Sequence, residues 1–301
     1  MDTEKTPAGS FLGPMRLPFL ILTPACVLVG LGTAIISDTS ISVLSFALAL
    51  VGASAAHISV NAFNEYFDYK SGLDFKTQRT PFSGGSGTLP QHPELAGGAL
   101  ATAIVTFVIT AGIGGYFLWL RGLALLPLGL AGLIVVLAYT SWFARNPLLC
   151  LVAPGLGFGT FMVMGTHFVL TGEYTWLSFV ASLVPFFLVN NLLLLNQFPD
   201  VDADRTVGRR HLPLVIGRRP SSLIYGAFNL LAYLSIVVGV LLDILPSTGL
   251  LGLATVALAI PASVAAYRHA DQPDQLLGAQ GQNVVINIMT PVLLAIGLVI
   301  G

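Results

Sequence analysis

The chain has 301 residues; 55% are hydrophobic and only 9% charged, and the mean hydropathy is +0.84. A soluble domain carries about 25% charged residues, so this composition excludes a soluble globular protein, a disordered chain and a nucleic-acid binder. Thirteen basic residues stand against fourteen acidic ones, which leaves no global attraction for polyanions.

A helix needs about 20 mostly apolar residues to cross a bilayer. Runs of that kind cover 17–36, 43–66, 99–120, 123–143, 149–170, 176–198, 224–244, 248–267 and 284–300. They predict an all-α polytopic membrane protein, one domain over 1–301, with nine transmembrane helices bundled around a central cavity. The first run is too long for a cleaved signal, and Asp2 and Glu4 offset the early Lys5. Cys26 and Cys150 sit inside apolar runs without disulfide or zinc spacing and read as small core residues.

Two connections, 67–98 and 199–222, are long and charged, so chemistry is expected there. With nine spans, Lys5, Arg16, Lys70, Lys76, Arg79, Arg145, Arg205, Arg209, Arg210, Arg218, Arg219 and Arg268 share one side with the N-terminus. Only Arg121 falls on the other. The positive-inside bias therefore puts the N-terminus and both long loops in the cytoplasm, on a multi-pass protein of the cell membrane.

The second run carries His57, Asn61, Asn64, Glu65 and Asp68, at offsets of 4, 7, 8 and 11 from His57, which share one helical face. Ser71-Gly72 is expected to end that helix, and Asp74 follows, giving Asn64-x3-Asp68-x5-Asp74. The sixth run ends in Asn196, Asp200 and Asp204, four apart and on one stripe if the helix survives Pro199. Asp202 points elsewhere.

Four aspartates facing lipid would cost on the order of 10 kcal/mol, so they face water or a cavity. Their mutual repulsion asks for cations, and carboxylates with amide oxygens suit Mg²⁺ better than zinc. Lys70, Lys76, Arg79, Arg205, Arg209 and Arg210 flank the clusters. Acidic clusters with cations between them are the arrangement expected for a metal-bound diphosphate.

Blander readings apply to the other motifs. The Asp200–Asp204 stretch imitates a calcium loop, but Arg205 and His211 stand where Gly and Glu are required. Ser83–Gly87 reads as a flexible linker without the Lys of a nucleotide loop. His57 and His167 read as interhelical hydrogen-bonders.

Taken together, the chain resembles the UbiA superfamily of intramembrane prenyltransferases. The nearest branch is the menaquinone-type 1,4-dihydroxy-2-naphthoate prenyltransferases. Asn64 through Asp74, with Gly72 two before the last Asp, is similar to that branch's first motif, and Arg79-Thr80 to its Arg-Thr. Asn196 through Gly217 resembles the second motif, and Phe158–Thr166 resembles the fifth span. Three places depart from the pattern: Pro199 replaces an Arg, Leu149-Cys150-Leu151 a Gly-Glu pair, and Arg209-Arg210-His211-Leu212-Pro213 the commoner Lys-x-Thr-Leu. They touch the acceptor side more than the metal side.

The resemblance implies transfer of a polyprenyl group from its diphosphate to an aromatic acceptor, through an allylic carbocation, with release of pyrophosphate. It implies Mg²⁺ ligands at Asn64, Asp68, Asp74, Asn196, Asp200 and Asp204, the four aspartates being catalytic. Diphosphate contacts are implied at Asn64, Lys70, Lys76, Arg79, Arg205 and Arg209, and a prenyl or acceptor pocket at Tyr66, Tyr139 and His167. Two rival readings stay open. A terpene cyclase of the same family would need no acceptor. A cation-coupled transporter would show broken helices near the midplane and usually an inverted repeat.

Overall fold

In the computed structural model, which describes residues 12–37 and 40–301, every regular element is helical. Asp2, Glu4 and Lys5 lie outside the described residues. The apolar segments are α1 (Gly13–Ile36), α2 (Val43–Ser71), α3 (Pro93–Arg121), α4 (Leu123–Ala138), α5 (Pro147–Thr171), α6 (Trp176–Arg205), α7 (Arg218–Leu241), α8 (Ser247–Arg268) and α9 (Pro273–Ile300). Eight of them are long and apolar enough to cross a membrane. The exception is α4, expected over 123–143 but only about 24 Å long at 1.5 Å per residue, against a hydrocarbon core of ~30 Å. Its backbone instead closes a turn in which Ala144 N–H donates to Tyr139 O at 2.9 Å.

Side chains such as Val51, Val108, Trp119, Ile134, Leu230 and Ile260 are exposed on the outside, as apolar solvent requires. Inside, the two helices that carry the acidic motifs run further than their apolar stretches. The helix α2 starts at Ser42, whose hydroxyl accepts from Ser45 N–H at 3.2 Å, and ends at Gly72. There φ is 77°, and the Gly72 amide turns back to Tyr69 O at 3.1 Å. The expected stop is therefore the observed one.

A Thr175/Ser178 capping box opens α6, which then continues through Pro185 and Pro199 to Arg205. Pro199 has no N–H to give to the carbonyl four residues back. That carbonyl, Leu195 O, takes a hydrogen bond from Gln280 Nε2 of α9 at 3.5 Å instead, and the helix survives.

In α5, Pro154 has the opposite effect. The next amide, Gly155 N–H, leaves the helical ladder and donates to Asn190 Oδ1 at 2.6 Å. A π-helical turn over Leu156–Phe161 follows. There Gly159 lies so close to the Phe186 backbone of α6 that an added Cβ would overlap it.

Packing places α2 against α3, α6 against α7, and α1 against both α5 and α9. Hydroxyls stitch these contacts: Ser59 donates to Ala103 O at 2.8 Å, and Thr248 to Gly297 O at 2.6 Å. One cavity of about 520 Å³ opens inside, walled by α1 to α6 and α9. Its wall runs along α2 from Ala49 to Asp68, roughly 28 Å at the helical rise. The helices α7 and α8 buttress α6 and α9 from behind.

Candidate active site at the acidic end of the cavity

Continuity of α2 and α6 decides the site. Because neither helix breaks, Asn61, Asn64 and Asp68 on one and Asn196, Asp200 and Asp204 on the other all line the cavity. Asp74 joins them from the 3₁₀ turn after Gly72. Asp202 points outward as expected, 82% exposed and 3.7 Å from Arg218. The Ser83–Gly87 loop, expected to be a flexible linker, is folded onto the site. Buried Glu65 accepts both Ser86 N–H and Ser86 Oγ–H at 2.7 Å, and Ser83, Gly84 and Gly85 line the cavity.

Arg209 joins the two motifs. Its Nη2 donates to Asp68 Oδ1, and its Nη1 to Asp204 Oδ1 at 3.3 Å. Although burial opposes a charge there, Asp68 and Asp204 hold the guanidinium pKa above its ordinary value. The second oxygen of Asp204 is 2.9 Å from His211 Nε2. The repulsion between aspartates expected from the sequence is thus answered first by a cation of the chain itself.

Three carboxyl and amide oxygens of the two motifs, Asp74 Oδ2, Asn196 Oδ1 and Asp200 Oδ1, are buried without a hydrogen bond. Asn64 gives its amide N–H to Thr140 Oγ1 at 3.3 Å. Burial first, then Glu65 and Asp68, pushes the Asp74 carboxyl up to about 7. Among the described residues, no three His, Cys, Asp or Glu side chains converge as the ligands of one ion. Mg²⁺ does not ask for that: it takes one or two protein carboxylates and completes its shell with water and phosphate. Hard, unpartnered oxygens from α6 and from the turn after α2, with four carboxyl groups on the wall against two guanidinium groups, fit such an ion.

The second guanidinium is Arg16, which the sequence offered only as an orientation signal. It sits in a left-handed conformation (φ 52°) between two 3₁₀ turns, over the Phe19 ring at 4.7 Å and 3.9 Å from Glu65 Oε1. That backbone is uncommon for a residue with a Cβ and aims the side chain inward. Nothing in a single sequence marks it.

The other basic residues expected at a diphosphate stand off the cavity wall. Lys70 lies over the Tyr66 ring at 5.7 Å, Lys76 donates to Thr206 Oγ1 at 3.2 Å, and Arg79 donates to Ser86 O at 3.4 Å. Arg205 is exposed at the end of α6. Lys76 and Arg79 join loop residues instead of facing the cavity.

Of the expected pocket residues, Tyr139 lines the cavity, while Tyr66 packs against Leu89, Ala96 and Ala99 outside it. His167 is fully buried between Thr33 Oγ1 (3.0 Å) and Thr175 Oγ1 (3.1 Å), an interhelical hydrogen-bonder. His57 bonds Thr23 Oγ1 at 2.9 Å and lines the cavity. Cys26 and Cys150 are free and buried, and Cys150 Sγ accepts from Gln197 Nε2 at 3.3 Å.

Comparison with known proteins fits this geometry. The UbiA prenyltransferase family model matches residues 23–277. The chain is 26% identical to 1,4-dihydroxy-2-naphthoate octaprenyltransferase of Bacillus subtilis (strain 168), over 99% of this chain and 94% of that one. The apo structure of a UbiA homolog from Aeropyrum pernix K1 superposes with a TM-score of 0.66 at 17% identity, covering 95% of this chain and 98% of the other. A UbiA homolog from Archaeoglobus fulgidus bound to DMAPP and Mg²⁺ gives a TM-score of 0.62 at 12% identity, covering 96% and 98%.

Proposed function

The chain belongs to the UbiA prenyltransferase family, and we propose that it transfers a polyprenyl group from its diphosphate to an aromatic, quinone-precursor acceptor in a Mg²⁺-dependent reaction. The observation that carries this reading is the meeting of two acidic helix ends, with their unpartnered oxygens, at one end of an apolar cavity. The Bacillus relative's name supports 1,4-dihydroxy-2-naphthoate as the acceptor. The Archaeoglobus structure, bound to DMAPP and Mg²⁺, supports the donor class and the metal.

In this mechanism Asn64, Asp68, Asp74, Asn196, Asp200 and Asp204 would share the holding of two Mg²⁺ ions, and Arg16 and Arg209 neutralise the remaining diphosphate charge. When bound, Mg²⁺ supplies Lewis-acid withdrawal of electron density from the diphosphate oxygens. The bond between prenyl C1 and the bridging oxygen breaks, and the electron pair leaves with pyrophosphate. The ring faces of Phe19, Tyr139 and Phe158 on the cavity wall stabilise the allylic cation, and the apolar wall keeps water from it. A carbon of the electron-rich ring then forms the new C–C bond and loses its proton.

In the same reading α4 is a ninth, short crossing, and the acidic end faces the cytoplasm of the cell membrane. The distribution of basic residues supports this. Arg121, alone among the described basic residues at the opposite end, donates to Val169 O (2.8 Å) and Leu170 O (2.7 Å), capping α5.

Mass spectrometry of products from purified protein with Mg²⁺ and geranylgeranyl diphosphate, with and without a panel of aromatic acceptors, tests the proposal. A prenylated aromatic formed only with acceptor is the expected result. Hydrocarbon or terpene alcohol released without acceptor establishes a cyclase instead, and a donor left intact under every condition removes the enzymatic reading of this site.

A further inference from the structure

His211 is a buried polar residue that the metal and diphosphate chemistry leaves half used. It is 2% exposed and lines the cavity at its acidic end, together with Tyr139, Cys150 and Gln197. Its Nε2 lies 2.9 Å from Asp204 Oδ2. A carboxylate accepts, so Nε2 carries the proton, and in the neutral ring Nδ1 offers a lone pair. Nδ1 is buried and has no hydrogen-bond partner.

The residue is also held rigidly. Its carbonyl accepts Leu214 N–H and Val215 N–H, both at 3.1 Å, at the start of the helical turn Leu212–Val215. The preceding Arg210 N–H donates to Ala144 O at 2.9 Å. A histidine that only supported Asp204 would need one nitrogen. A second one, buried in a membrane-embedded site without a donor, is costly unless a partner arrives.

We propose that His211 is a specificity-determining residue for the acceptor: Nδ1 accepts a hydrogen bond from a hydroxyl of a hydroxylated aromatic ring bound beside Tyr139 and Cys150. The assignment rests on the prenyl-transfer reading of the site. With Nε2 donating to Asp204, the tautomer is fixed and Nδ1 is left as an acceptor. An acceptor whose hydroxyl is methylated, or missing, then loses a contact that cannot be replaced by water in a closed site.

Two isosteric variants separate this role from simple support of Asp204. In His211→Gln the amide reaches the Nε2 position and keeps a donor for Asp204, while the group at Nδ1 is lost. In His211→Asn the amide stands where Nδ1 stands, and the Asp204 contact is lost. The full-length protein is assayed with Mg²⁺, geranylgeranyl diphosphate, and 1,4-dihydroxy-2-naphthoate or its 1-methoxy and 4-methoxy ethers.

The expected result for H211Q is a rise of about ten-fold in acceptor KM, about 1.4 kcal/mol, with donor KM and the Mg²⁺ midpoint unmoved. One ether loses the same factor on the wild-type protein and loses nothing further on H211Q. For H211N, the donor KM and Mg²⁺ midpoint rise, while the acceptor KM stays nearer that of the wild type. If H211Q matches the wild type in acceptor KM, or if both variants shift only donor and Mg²⁺ behaviour, the assignment is overturned and His211 is a support for Asp204. Wild-type protein that makes no acceptor-dependent product overturns the prenyl-transfer reading itself, and this assignment with it.

Discussion

Replacing Arg209 by Ala tests whether the two acidic motifs are held together by a cation of the chain. The guanidinium bridges Asp68 and Asp204, which belong to α2 and α6 and are 9% and 2% exposed. Removing one partner of a buried ion pair costs about 3–5 kcal/mol, because the remaining charge stays desolvated. The Arg209 side chain keeps 21% of its exposure, which puts the expected loss near the lower end, about 3 kcal/mol. The same change frees two carboxylates for a divalent cation. A positive charge about 4 Å away disfavours a divalent cation by about 8 kcal/mol at an effective dielectric of 20. Even after screening, Arg209→Ala is expected to bind Mg²⁺ at least ~10-fold more tightly in the absence of donor. Thermal unfolding in detergent across a Mg²⁺ titration reads both effects. The variant unfolds early in chelator, recovers most of the loss in Mg²⁺, and has a lower titration midpoint. A variant as stable as the wild type in chelator, or one that Mg²⁺ does not rescue, refutes the bridging role.

Three further outcomes follow from the geometry. The Asp74 carboxyl, raised to about 7 mainly by burial, binds a proton in the native state that the unfolded chain has already lost. Metal-free protein therefore loses stability as pH rises from about 4 to 7, and Mg²⁺ stabilises it more at pH 8 than at pH 5.5; Asp74→Asn should flatten that difference in the same melting assay. Gly159→Ala drives a Cβ into the Phe186 backbone and is expected to cost about 1–3 kcal/mol by chemical denaturation in detergent. Glu65→Ala removes both Ser86 contacts, so limited proteolysis should cut within residues 77–87 faster than in the wild type.

How far the sequence carried depends on the range of the interactions involved. Asn64, Asp68, Asn196, Asp200 and Asp204 were legible because helical periodicity is local, and the stop at Gly72 is a local backbone preference. Survival of α6 through Pro199 was not legible, since the freed Leu195 carbonyl is taken up by Gln280, 85 residues from Leu195. The position of Lys70, Lys76, Arg79 and Arg205 off the cavity wall was not legible for a related reason. Nearness in sequence to an Asp says nothing about the side of the helix end on which a long side chain lies. Arg16 and Glu65 meet across 49 positions, and Arg209 joins helices that end 134 residues apart, so both contacts belong to the tertiary fold. The shortness of α4 is equally tertiary. The run expected to reach Phe143 ends at Ala138, where the chain turns and brings Tyr139 to the cavity and Thr140 to Asn64.

Pyrophosphate release from geranylgeranyl diphosphate, measured on wild type, Asp68→Asn and Asp200→Asn side by side with acceptor, in Mg²⁺ and in chelator, tests the central claim most directly. The account predicts release by the wild type in Mg²⁺ only, and a fall of at least ~100-fold, about 2.7 kcal/mol of barrier, in each variant. Release that persists in chelator, or in either variant at the wild-type rate, contradicts it.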